Sequence, residues 1–162
     1  MPISHQVISG KSLLTTEWGR ITADDLRAHL RYLLESPDVP RPVRELMDKR
    51  RVQDCPLDFL GSIDYANDLA SAYRAVGINR IAMLATQDAI YGTCRQLQIL
   101  LTSREMQVSV YRDAAAACAS VGISLPVANA ELADATSIPT APSLEDAPVA
   151  DIRVTPTLDA TR

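Results

Sequence analysis

Two short β-prone runs occupy the first twenty positions, and the apolar residues then switch to helical spacing. "HQVIS" and "SLLTTEW" are β-prone runs on either side of Gly10-Lys11, which predicts an antiparallel hairpin, and Gly19 allows a second turn. In "RITADDLRAHLRYLLES" the period lengthens to that of a helix. Thr22 stands at the N-cap with Asp25 at the third helical position, and Ile21 and Leu26 are spaced as a hydrophobic staple. Leu26, Leu30, Leu33 and Leu34 make one apolar stripe, His29 beside it is expected to be partly exposed, and Pro37 ends the helix.

Strands and helices alternate from there. "PVRELMD" (42–48) reads as a short strand, followed by "DKRRVQD", whose three cations between aspartates read as a solvated loop. "CPLDFLGSIDYANDLASAYRAVG" (55–77) is mainly helical. Tyr65, Leu69, Ala72, Tyr73 and Val76 fall on one face, Gly77 suits a left-handed cap, and the start lies at Pro56 or at Gly61-Ser62. "RIAMLA" (80–85) is an unbroken apolar run, as a parallel strand covered on both faces requires. "DAIYGTCRQLQILLTS" is the next helix, with Asp88 as N-cap. "MQVSVYR" is a strand with Met106, Val108 and Val110 on one face, and "DAAAACASVG" is a helix capped by Asp113. The expectation is an α/β domain: a mixed sheet of about five strands, an N-terminal antiparallel hairpin followed by parallel βαβ units, with about four helices.

Composition changes near Ser124. The stretch from 124 to 162 is rich in Ala, Pro and Thr, has no aromatic residue, and is broken by Pro126, Pro139, Pro142, Pro148 and Pro156. Too little apolar surface remains there to offset ordering entropy, so a domain over 5–123 and a disordered acidic tail over 124–162 are expected. Six of the 20 acidic and two of the 16 basic side chains lie in that tail, which carries the whole net charge of −4. The balanced remainder has no electrostatic footprint for nucleic acid. No apolar run is long enough for a membrane span, and the first residues do not read as a secretory signal. Three cysteines without C-x-x-C spacing fit a reducing cytoplasm better than a disulfide frame or a zinc site.

The order of elements, together with "GRITADDLRAHLRYLLESPD", "RELMDKRRVQD", "RIAMLATQDAIYGTCRQLQ" and "VSVYRDAAAA", resembles the SpoIIAA-like, STAS/SEC14-type family of small bacterial α/β domains. The resemblance implies a non-catalytic regulatory or protein-interaction domain, with a small-ligand or lipid carrier of SEC14 type as the alternative. A partner protein or a second copy of the chain is implied, and no cofactor. Some STAS domains are switched by phosphorylation of a serine that follows an aspartate after a central strand. Here "QDCPL" has Cys55 after Asp54, so the serine switch is not expected.

Candidate chemistry is sparse. No P-loop, G-x-G-x-x-G, H-E-x-x-H or Ser-His-Asp set is present, and no metal site is read. A ligand or partner surface is expected from Asp48, Asp54, Cys55, Asp88, Tyr91, Gly92 and Arg95. Asp48 and Asp54 close the central strand and the run after it. Cys55 would feel the positive end of a helix starting at Pro56. In "TQDAIYGTCRQ", Asp88 would cap the helix, Tyr91 would meet the sheet edge or solvent, and Gly92 would admit a neighbouring backbone. Arg95 would bind an anion or stand at the surface, and Cys94, well inside the helix, is expected to be packed rather than nucleophilic.

Overall fold

The computed structural model describes residues 2–8, 10–56 and 59–124. The stretch from 125 onward, expected to be a disordered tail, lies outside the described residues. The elements are β1 (Ile3–Ile8), β2 (Ser12–Arg20), α1 (Ala23–Glu35), β3 (Val43–Asp54), α2 (Phe59–Val76), β4 (Ile78–Leu84), α3 (Asp88–Thr102), β5 (Gln107–Tyr111) and α4 (Ala114–Val121). Five strands form one sheet in the order β1-β2-β3-β4-β5. β1 pairs antiparallel with β2, and every later pair is parallel.

Spatial order equals chain order, so each crossover steps one strand in the same direction. With the usual right hand, α1, α2 and α3 then fall on one face of the sheet. Leu26, Leu33, Leu69 and Leu101 from these helices accordingly pack with Leu13, Met47, Ile81 and Met83. The other face, with Leu14, Leu46, Ala82 and Leu84, packs on α4 through Ala117, Cys118 and Val121. β4 contributes to both clusters, which is why "RIAMLA" reads as a continuous apolar run.

Local signals explain the element boundaries. The Thr22 side chain accepts from Asp25 N, and the Asp25 carboxylate accepts from Thr22 N at 2.9 Å, so the capping box is complete. Asp113 caps α4 by accepting from Ala116 N at 2.8 Å, and Gly122 ends it in the left-handed region. The α2 stripe of Tyr65, Leu69, Ala72, Tyr73 and Val76 is buried as its spacing predicts.

Four expectations are corrected. Leu34 is 44% exposed, and the inward place on α1 belongs to His29, which is fully buried. Gly19 does not open a turn: it lies inside β2 with φ +68°. "DKRRVQD" is not a loop, because β3 runs on to Asp54. Its register against β2 shifts twice, Thr16 facing Asp48 but Trp18 facing Arg51, and Gly19 facing Val52 but Arg20 facing Asp54. Each shift puts an extra residue into β3, as a bulge does. The strand tolerates the charges there because Lys49 is neutralised by Glu17 in the core, and Arg50 turns back onto Asp48. Finally, α2 already includes Phe59 and Leu60, so it does not start at Gly61; residues 57 and 58, which bear on a start near Pro56, lie outside the described ones.

Candidate functional site

β2 and β3 carry their polar side chains into the helix-covered face. Thr15 and Glu17 on β2, and Glu45 and Lys49 on β3, are all buried there. A charge in such a place must be paired. The Lys49 ammonium donates to Glu17 Oε1. Burial opposes that positive charge, but the Glu17 carboxylate and its hydrogen bond outweigh it and hold the pKa of Lys49 above its ordinary value.

Glu45 lacks such a cation. Thr15 Oγ1 donates to its Oε1 at 2.5 Å, and the Tyr73 hydroxyl donates to its Oε2. Burial pushes the Glu45 carboxyl up to about 7, against the opposing effect of those two donors. His29 of α1 faces Glu45 Oε1 at 3.7 Å through an Nε2 that has no hydrogen-bond partner among the described residues. Its Nδ1 lies 2.9 Å from Nε2 of His5 on β1. The His5 ring stacks on Tyr32 with centroids 3.8 Å apart.

Beside this row, toward the C-terminal ends of β2 and β3, is a cavity of about 30 Å³. Leu26, Val52, Ile90 and Leu97 wall it, Glu17 and Lys49 reach it, and Cys55 and Cys94 both line it. Tyr65 also lines it, with a buried hydroxyl that has no partner among the described residues. The volume suits about two water molecules, which could satisfy that hydroxyl. Both thiols are poor nucleophiles: burial pushes Cys94 up to about 11 and also raises Cys55, with Lys49 pulling the other way.

The expected surface residues divide among three places. Asp54 closes β3 and Cys55 follows it, while Asp88 and Tyr91 open α3 after β4, so all four belong to the rim where the parallel strands end. Asp54 pairs there with Arg20 at 3.4 Å. Asp88 is not the N-cap of α3: that position is Gln87, which makes no side-chain cap. Asp88 instead accepts from Arg112 Nη2 at 2.6 Å, and Arg112 also donates to Thr86 O at 2.8 Å and lies 4.1 Å from the Tyr91 ring centroid. Arg112, at the end of β5, therefore organises "TQDAIYGTCRQ", and the reading of the sequence missed it; the only signal was an arginine between a strand and the Asp113 cap.

Asp48 belongs elsewhere. It is buried on the α4 side of the sheet, held by Arg50 through two side-chain bonds of 3.0 Å. Gly92 and Arg95 lie along the exposed side of α3. A Cβ at Gly92 would meet nothing within 4 Å, so no close backbone approach explains that glycine. Arg95 donates to Gln98 at 2.6 Å, further along the helix and away from its N-terminus. Cys55 stands four positions before Phe59, the first described residue of α2. Among the described residues no cluster of three or more His, Cys, Asp or Glu could hold a metal ion, and no helix is long and apolar enough to cross a membrane.

The architecture defines the class: it is a SpoIIAA-like fold. The chain is similar to the anti-sigma factor antagonist SpoIIAA in its unphosphorylated form, with a TM-score of 0.50 and 11% identity over 75% of this chain and 98% of that one. It is also similar to an uncharacterised protein of the DUF3478 family with a SpoIIAA-like fold from Shewanella loihica, with a TM-score of 0.47 and 14% identity over 74% of this chain and 91% of that one. No model of a known protein family matches the sequence, and no curated protein matches it.

Proposed function

We propose that the chain is a non-catalytic regulatory or protein-interaction domain of the STAS-like type, binding a partner protein or a second copy of itself at the rim of the parallel strands. The observation that carries this reading is Leu60. It lies in the first turn of α2, six positions after Asp54, and is 69% exposed. An exposed large aliphatic side chain can supply the apolar contact of an interface. The chemistry nearby supports binding rather than turnover, since the two thiols of the cavity are held protonated.

The serine switch of related STAS domains does not carry over in this reading. Cys55 stands after Asp54, and Ser62, the serine in the first turn of α2, is buried. The carrier alternative finds no room in the cavity beneath the rim, which holds about 30 Å³, whereas a lipid needs several hundred cubic ångströms, roughly 300 or more.

Native mass spectrometry after gentle purification tests the proposal. The full chain is expected to retain a protein mass, a partner or a second copy, which Leu60→Asp loses while keeping its far-ultraviolet circular dichroism. A retained small molecule would overturn it in favour of the carrier, and so would a protein complex indifferent to Leu60→Asp.

A further inference from the structure

The row from His5 to Glu45 has no part in the rim. Three facts about it stand together. His5 Nε2 and His29 Nδ1 are 2.9 Å apart, so one of these nitrogens carries a proton and the other accepts it. His29 Nε2 is buried, unpartnered among the described residues, and faces Glu45 Oε1 at 3.7 Å. His5, at the other end, is only half-buried and stands on the edge strand β1.

The geometry points to a proton relay: the buried carboxyl of Glu45 exchanges its proton with solvent through His29 and His5, and both imidazoles switch tautomer as it does so. With Glu45 protonated, its O–H is directed to His29 Nε2, His29 Nδ1–H donates to His5 Nε2, and His5 carries its own proton on Nδ1. On ionisation the Glu45 proton passes to His29 Nε2. The proton of His29 Nδ1 passes to His5 Nε2, and His5 Nδ1 releases its proton to water. One proton leaves, and both rings begin and end uncharged. Transfer needs the gap between His29 and Glu45 closed to hydrogen-bond length, about 2.8 Å, a side-chain-sized movement.

The surroundings select this path over ordinary imidazole titration. Burial holds His5 down to about 4, and holds His29 well below its ordinary range with help from the His5 and Lys49 charges. The carboxyl, at about 7, is therefore the group that changes near neutrality. Glu17 raises it and Lys49 lowers it, and these two are already paired with each other. On α2, Tyr65 and Tyr73 stay neutral, their hydroxyls pushed well above the ordinary range by burial. Next to Glu45 and Met47, β4 brings only Ile81 and Met83 to this face, and α3 brings the protonated Cys94.

Nitrogen-15 NMR of labelled histidines in the full chain reads the tautomers directly across the range where an imidazole normally titrates, about pH 5 to 9. Both rings are expected to remain neutral and to exchange Nδ1–H for Nε2–H character together, with a single inflection near pH 7. Glu45→Gln should abolish that inflection. Should Glu45→Gln fail to fold, Tyr73→Phe replaces it, and is expected to move the inflection upward by removing a donor that favours the carboxylate. Fixed tautomers across the range, conversion of either ring to imidazolium near pH 6.5, or an inflection that persists in Glu45→Gln or is unmoved in Tyr73→Phe would each overturn the relay.

Discussion

Glu45 and the two histidines pull stability in opposite directions with pH. The Glu45 carboxyl is raised from 4.5 to about 7, so its favourable contribution is complete below about 4.5 and is lost as pH rises through about 7. His5 is lowered from 6.5 to about 4, so its contribution is complete above about 6.5 and is lost as pH falls toward 4, and His29 has the same sign. The stability of the native chain minus that of Glu45→Gln is therefore expected to fall between about pH 5 and 7.5, by at most about 1.4 kcal/mol per pH unit. Urea denaturation at a series of pH values measures this, and a difference that rises with pH would show that the carboxyl is not raised. The thiols give a second test. Cys55 is half-buried and Cys94 is buried, so brief alkylation followed by peptide mapping should label Cys55 first. Faster labelling of Cys94 would mean that the cavity opens readily. None of the buried pairs was legible from the sequence. His5 and His29 are 24 positions apart, and Glu17 and Lys49 are 32 apart. Each pairing depends on strand register and on the rotation of α1, which local patterns do not encode.

Helices and strands were far more legible than their contacts. Capping residues and apolar periodicity act within one or two turns, so α1, α4 and the buried face of α2 could be read directly. The limits show on α1 itself. Leu30 and Leu34 both belong to its apolar stripe, yet Leu30 is buried and Leu34 is 44% exposed. Leu30→Ala is expected to cost roughly 2–4 kcal/mol, as for a buried leucine, and Leu34→Ala less than about 0.5 kcal/mol. Denaturant titration of both variants checks the pair, and equal losses would mean that the helix is rotated from the position described. β3 was truncated in the reading because Lys49, Arg50 and Arg51 look like a solvated run. What extends it to Asp54 is pairing with β2 and the neutralisation of Lys49 by a residue on another strand.

For the whole molecule, the order of strands and helices was enough to predict a mixed sheet with one antiparallel edge, because regular crossovers leave few alternative topologies. Among the described residues, the two buried clusters draw their members from Ile3 to Ile123. We propose that these residues are the folding unit. A chain ending at Ser124 is expected to melt within about 2 °C of the full chain, which corresponds to less than roughly 0.5 kcal/mol. A substantially lower melting temperature would mean that residues beyond 124 pack on the core.

The agreement between spatial order and chain order also bears on how the molecule is made. Each strand meets its neighbour after at most one intervening helix, so the sheet can grow by accretion as the polypeptide leaves the ribosome, without waiting for a distant segment. Local pairing of this kind closes short loops and favours rapid folding for a parallel sheet. α4 is the exception. It returns across β3 and β4, and its last residue, Val121, accepts a hydrogen bond at 3.1 Å from Ser12 Oγ, 109 positions earlier. Until that helix has emerged, Leu14, Leu46 and Leu84 lack their cover. A nascent chain stalled before Ala114 would therefore present a formed sheet with one bare apolar face, the species most exposed to aggregation or to capture by a chaperone.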